Sequence, residues 1–264
     1  MAFLVDHDLH IHSKISLCSG DPAQTNERIL AYACENGFRT VCLTDHFWDE
    51  AVPILPESWY VGQGLSHISA ALPLPQADGV RFLFGCETEL DRTLTLGVHP
   101  SHFDLFDFII IPTTHFHMKG FTVTEEETKN AQARAETWVK RFDAVLNMDL
   151  PFNKVGIAHL TCTLIAPTKE EYVETISLLP EKGMMRLFTK AADLGVGIEL
   201  NFRYPEENTE LLLRPYFIAK ACGCKFYLGS DAHTTGGLAS APKNFKRITD
   251  ALELQASDRF TLLN

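Results

Sequence analysis

Residues 106–115 read FDFIIIPTTH. Its first six residues, FDFIII at 106–111, are apolar apart from Asp107, and a run so short and rich in Phe and Ile describes a strand buried on both faces. A histidine follows just past its end. Similar runs recur: AFLV at 2–5, TVCL at 40–43, VRFLFGC at 80–86, KVGIA at 154–158, VGIEL at 196–200 and KFYLG at 225–229. Between them the spacing predicts helices. Residues 22–36 open with Pro22 and close at Gly37, a start and stop pair. Residues 124–147 open T-E-E-E, a capping-box start, and carry an apolar stripe of Trp138, Val139, Phe142, Val145 and Leu146. Residues 181–194, 208–222 and 242–255 also read as helical. Strand and helix alternate throughout, so the fold class is α/β with a parallel sheet.

Seven strands in 264 residues predict a closed or nearly closed barrel in one domain spanning 1–264. A doubly wound open sheet is the alternative. No G-x-G-x-x-G follows the first strand, which argues against dinucleotide binding. Residues 48–79 hold four prolines and two tryptophans and predict a long loop with a short helix.

Apolar residues at 45% supply a core, so the chain is not expected to be disordered. With 23 basic and 34 acidic residues the net charge is −11. That argues against a general grip on nucleic acid, which needs a cationic face. Some of the acids can be neutralised by bound metal. The seven cysteines (18, 34, 42, 86, 162, 222 and 224) are odd in number, and several sit inside apolar runs. Reduced thiols in a cytoplasmic protein are expected. No apolar stretch reaches the ~18 residues of a membrane helix. The start, MAFLVDHDLHIH, lacks a basic n-region, so no signal peptide is expected.

Six of the eleven histidines follow a predicted strand: His10 and His12, His46, His115, His159 and His233. Glu87 follows the third strand, Glu199 ends the sixth and Asp231 follows the seventh. In a parallel barrel the C-terminal strand ends share one rim, where active sites are built. Imidazoles and carboxylates gathered there unpaired would be costly to bury, and divalent metal ions are the simplest remedy. His10 and His12 are two apart, so on a strand they face the same side and can hold one ion together. His7, His67, His99 and His102 lie off the strand ends or in polar loops and read as structural. The pair Cys222 and Cys224 has no partner cysteines and reads as packing.

Seven motifs in order, DLHIHS (8–13), LTDH (43–46), GCE (85–87), IIPTTH (110–115), IAH (157–159), IELN (198–201) and GSDAH (229–233), resemble the PHP superfamily of metal-dependent phosphoesterases, named for polymerases and histidinol phosphatases. The resemblance implies a distorted (β/α)7 TIM-like barrel and two to three divalent ions: zinc, iron or manganese. It implies a first metal on His10, His12, Glu87 and Asp231. Glu87 would bridge to a second, also held by His115 and His159. His46 and His233 would hold a third, completed by Asp21 through an S-x-D variant, with Cys18 as the rival. Asp45, Glu199 and Asn201 would support the ligands.

The expected reaction is hydrolysis of a small phosphomonoester. Two close metals clamp phosphate oxygens and lower the pKa of a bridging water, whose hydroxide attacks phosphorus in line. No protein nucleophile is then required. Asp231, His117 and Arg203 are the expected catalytic residues. Arg203, Lys119 and His117 are expected to bind the substrate, Arg203 by a bidentate grip on phosphate. The short YPEEN that follows Arg203 argues against histidinol phosphate itself. One alternative is a phosphodiesterase or exonuclease on nucleic acid, with Trp48, Trp59 and Tyr60 stacking bases. Another is a metal-binding module without catalysis. Amidohydrolase-type barrels also use H-x-H, but they usually add a metal-bridging lysine, and no strand-end lysine suits. The expected partner is a small phosphorylated molecule, with neither nucleic acid nor membrane.

Overall fold

The computed structural model of the chain describes residues 1–56, 58–201 and 209–262. Its strands are β1 (His7–Ile11), β2 (Thr40–Leu43), β3 (Arg81–Phe84), β4 (Cys86–Glu87), β5 (Ile109–Pro112), β6 (Val155–Ala158), β7 (Gly197–Leu200) and β8 (Lys225–Leu228). All neighbouring strands pair in parallel, in two runs, β1-β2-β3 and β4-β5-β6-β7-β8.

The two runs form one distorted barrel, because β3 and β4 are halves of a single strand broken at Gly85. Gly85 N still donates to Leu43 O of β2 at 2.8 Å, while Cys86 N donates to Phe108 O at 3.1 Å, on the other side. A side chain at Gly85 would stand 2.4 Å from that carbonyl, so the strand can change partners only at a glycine. Bridges between His46 and Glu87, and between Ile11 and Ala232, close the ring on either side. Among the described residues seven strands result, the number the apolar runs predict.

Alternation along the strands separates two apolar layers. Ile109, Ile111 and Ile157 face outward into a large core with Trp138, Phe142 and Phe188. Phe108, Ile110, Ala158, Tyr227 and Phe260 form a separate inner cluster. Phe108 and Tyr227 reach so far into the barrel that a Cβ on Gly156 would meet both at 2.6 Å. The inner positions are therefore apolar at the start of each strand. Further along they become ionisable, as in the series from Cys42 through Thr44 to His46.

The surrounding helices are α1 (Asn26–Glu35), α2 (Leu65–Ile68), α3 (Ala131–Leu146), α4 (Lys169–Ser177), α5 (Glu181–Leu194), α6 (Thr209–Ala221) and α7 (Thr235–Ala251). Several differ from expectation. The first strand is not the apolar AFLV but HDLHI, whose polar residues are buried by the barrel interior. α1 starts after the Thr25 cap rather than at Pro22. The TEEE box does form, with Thr124 and Glu127 bonded reciprocally, but it opens only a short 3-10 turn. Asn130 caps α3 proper, accepting from Ala133 N at 2.8 Å. α7 begins at Thr235, seven residues before Pro242, which lies inside the helix instead of starting it. α4 is mostly polar on its surface and carries too short a stripe to be read from periodicity. Among the described residues, no helix is long and apolar enough to cross a membrane.

Candidate metal centre

The ionisable ends of the strands meet at one rim. His10 and His12 project from β1 and its end, and both are fully buried. Asp8, beyond an irregularity in β1 that breaks the alternation, accepts from Ser230 N at 2.9 Å and from Tyr32 Oη of α1 at 3.1 Å, tying β1 to the segment after β8. Burial pushes the Asp8 carboxyl up to about 6, against the hydrogen bonds it accepts from Ser230.

Among the described residues four overlapping sets of side chains lie together, the ligand atoms within each set being within 4.8 Å of one another; one of them, His10, His159 and Glu199, sets a carboxylate behind two of the rings. Of the other three, the first is His10, His12, Glu87 and Asp231, the second Glu87, His115 and His159, and the third His12, Cys18, His46 and His233. In the first set, His10 Nε2 lies 3.1 Å from His12 Nε2. His12 Nε2 is 3.2 Å from Glu87 Oε2 and 3.3 Å from Asp231 Oδ1. In the second, His159 Nε2 is 3.3 Å from Glu87 Oε1. In the third, His46 Nε2 is 3.1 Å from Cys18 Sγ, and the His12 and His233 rings stack at 4.2 Å.

Outer partners hold most of these rings by the opposite nitrogen, as metal-ligating imidazoles require. His10 Nδ1 is 2.5 Å from Glu199 Oε1, and the other Glu199 oxygen accepts from His159 N at 3.1 Å. His12 Nδ1 meets Ser16 Oγ at 3.0 Å. His115 Nδ1 meets Glu89 Oε2 at 2.7 Å. Tyr60 Oη lies 3.0 Å from His46 Nδ1. Arg141 of α3 sets Glu89 in turn, from 3.3 Å, and donates to the carbonyls of Leu90, Asp91, Thr113 and Thr122.

The backbone is also bent to this purpose. His159 and Asp231 are in the left-handed region, at φ 63° and 50°. Such a conformation costs an ordinary residue roughly 1–2 kcal/mol and concentrates at functional sites.

The donor set fits divalent metal. Two ligands on a tetrahedral ion with bonds of about 2.0–2.1 Å stand roughly 3.3 Å apart, the spacing seen here. Both Glu87 oxygens are buried, and neither is engaged in a hydrogen bond. Burial would raise the Glu87 carboxyl, but the charges of His10 and His46 outweigh it and hold it well below the ordinary value. Burial likewise works downward on His12, while the hydrogen bond to Asp231 and the nearby Glu87 charge carry it up to about 9. An arrangement of carboxylates facing protonated imidazoles is one in which metal ions displace protons.

The remaining expected residues fall in different places. Asp21 stands outside the sets. Its Oδ2 accepts from Thr235 N and Oγ1, both at 2.9 Å, and its Oδ1 from Ala23 N at 2.9 Å, so the carboxylate pins the loop to the start of α7. Cys18, the rival to Asp21, is the residue that stands with His12, His46 and His233. Asp45 accepts from Ser13 N and Oγ, both at 2.7 Å, securing the turn after His12 rather than a ligand. His117 lines the cavity over the sets. Burial and the neighbouring His115 and His159 bring it down to about 4, so it is uncharged at neutral pH. Lys119 is exposed, pairs with Glu125 at 2.6 Å and lines the adjoining cleft instead. Arg203 lies outside the described residues. His7, His67, His99 and His102 are bonded to Leu228 N, Ile15 O, Ser101 and Asp49 respectively, away from the sets. Cys224 is buried with Sγ on Phe188 O, at 3.1 Å. Glu89 and Arg141 were not foreseen: one follows a motif by two residues, and the other sits in a helix as an ordinary charge. Trp48 and Tyr60 are buried, which removes them as base-stacking platforms.

The sequence matches the PHP domain family over residues 8–201, so the chain belongs to that family. Among solved structures it resembles a histidinol phosphate phosphatase (HISK) from Lactococcus lactis subsp. lactis complexed with zinc, L-histidinol and phosphate. That match has a TM-score of 0.58 at 15% identity and covers 97% of this chain and 98% of that one. The likeness is one of fold, a TIM-like barrel. A Plasmodium falciparum HPPK-DHPS structure with pteroate aligns at 10% identity and TM-score 0.37, over 91% of this chain and 49% of that one, too loosely to define a common fold. No curated protein matches the sequence. Family membership and the His/Glu/Asp sets together support a metal-dependent phosphoesterase.

Proposed function

We propose that the protein is a phosphatase that hydrolyses a small phosphomonoester. The observation that carries this reading is Glu87, a buried carboxylate shared by two ligand sets, with both oxygens aimed at ring nitrogens instead of hydrogen-bond donors. Two or three divalent ions held there, zinc, iron or manganese, would supply Lewis acidity toward phosphoryl oxygens and a water that deprotonates near neutral pH. On this reading His10, His12, Glu87 and Asp231 hold the first ion. Glu87, His115 and His159 hold the second, and His46, His233 and Cys18 the third, with His12 beside it. Glu199 and Glu89 keep His10 and His115 in the tautomer that offers Nε2. His117, neutral and lining the cavity, hydrogen-bonds the ester.

The test is a screen of phosphomonoesters and phosphodiesters with metal-replete protein, beside a chelated control and elemental analysis. Hydrolysis of monoesters with at least two ions per chain is the expected result. Turnover confined to diesters would transfer the site to phosphodiesterase chemistry. Full activity with one ion or none would refute the metal assignment.

A further inference from the structure

The cavity above the metal sets has a volume of about 370 Å³, within the usual range for small-molecule sites. Its floor is ionisable, but part of its wall is carbon. Trp59, Met118 and Leu164 line it from three different loops, those after β2, β5 and β6. Trp59 and Leu164 are 39% and 40% exposed, and they are exposed on the wall of a concave site, where apolar side chains ordinarily meet a ligand. Trp59 is also fixed in place. Its ring stands edge-to-face on His46 at 4.9 Å and on Tyr60 at 5.4 Å, and Tyr60 is itself bonded to His46. A tryptophan braced by a candidate ligand is a wall of the site. Among the described residues, no lysine or arginine lines this cavity.

We propose that these three side chains receive the alcohol half of the substrate, and that this half is an uncharged, ring-bearing apolar group. The proposal rests on the phosphomonoesterase reading and narrows it to a substrate class. A polyol or sugar placed here would set hydroxyls against carbon and forfeit their hydrogen bonds to water. A second phosphate would find no cation in the described wall. An aromatic or alicyclic group instead removes Trp59, Leu164 and its own surface from water together.

The experiment compares 2-phenylethyl phosphate, ethyl phosphate and glycerol 1-phosphate on the metal-replete enzyme. All three leave as aliphatic alkoxides, so differences in kcat/KM report recognition more than leaving-group chemistry. The phenyl compound is expected to lead the other two by about 10- to 100-fold, the usual gain for burying a group of that size. A parallel arm needs no turnover: calorimetric binding of 2-phenylethylphosphonate and of methylphosphonate. The phenyl phosphonate should bind at least about 10-fold more tightly, and Trp59→Ala should remove most of the preference in both arms. Leu164→Ala supplies a second variant from a separate loop. Equal affinity for the two phosphonates, preference for glycerol 1-phosphate, or an unchanged preference in both variants would overturn the proposal. If the phosphonate preference holds while no ester is hydrolysed, the apolar seat stands and the phosphatase reading falls.

Discussion

Replacing Arg141 with Met tests whether α3 sets the geometry of the metal centre. Arg141 is 1% exposed. It donates to Thr113 O at 3.0 Å, Thr122 O at 2.6 Å, Asp91 O at 3.3 Å and Leu90 O at 2.6 Å, and to Glu89 Oε1 at 3.3 Å. Met fills much of the stem's volume but returns none of these bonds. Four carbonyls lose a donor. Glu89, fully buried, keeps only His115 Nδ1 at 2.7 Å and Leu90 N at 3.0 Å. Removing one partner of a buried charge pair costs about 3–5 kcal/mol. For a chain somewhat above 250 residues that lowers Tm by roughly 10 °C. Urea unfolding of the metal-free protein measures the loss directly. Adding Glu89→Gln to Arg141→Met should recover part of it, because the stranded charge goes, and the double-mutant cycle should show coupling of about 1 kcal/mol or more. A loss below about 1 kcal/mol, or strict additivity, would show that Arg141 is a bystander and that His115 is oriented without it.

Three further outcomes are expected. His159→Asn keeps a residue tolerant of positive φ but shortens the ligand, so turnover should fall at least about 100-fold with unfolding little changed; near-normal activity at limiting metal would contradict the assignment. Cys18→Ala should deplete the ion bound by His46 and His233 selectively, whereas Asp21→Ala should leave metal content intact and loosen the loop before α1, a contrast read by elemental analysis beside proteolysis. Burial works upward on Asp6, but hydrogen bonds from His7 and Arg259 outweigh it and bring it down to about 2. Because the folded value is depressed, the stabilisation is present above about 4 and lost as pH falls toward 2. Arg259→Ala, which removes a 2.7 Å contact, should therefore cost about 1 kcal/mol at pH 7 after solvent screening and markedly less near pH 2 in urea titrations.

The barrel was legible because six of its seven strands are short apolar runs, and the rim was legible because chemistry-bearing residues punctuate their ends. The first strand was not. Its buried residues include Asp8, His10 and His12, which hydropathy assigns to solvent, and partners elsewhere in the chain make their burial tolerable: Tyr32 and Ser230 for Asp8, Glu199 for His10 and Ser16 for His12. Third-set membership was likewise open between Cys18 and Asp21. Both lie in one loop, and the choice depends on which way that loop turns. Asp21 captures Thr235, a contact some two hundred residues away that local pattern does not contain. Glu89 and Arg141 escaped for a similar reason: a helix arginine looks like surface until the fold encloses it.

The left-handed backbone at His159 and Asp231 has a consequence for anyone who evolves this protein in the laboratory. At His159 glycine relieves roughly 1 kcal/mol of backbone strain and removes one ring from an interior crowded with them, whereas at Asp231 the loss of the carboxylate facing His12 outweighs that relief. Losing the centre is thus an easy way to gain heat resistance. A library ranked on thermal survival alone will be drawn toward inactive barrels, the more so if cultures are starved of metal. Ranking on survival with metal bound reverses that pressure, because the ion then repays the strain its ligands carry.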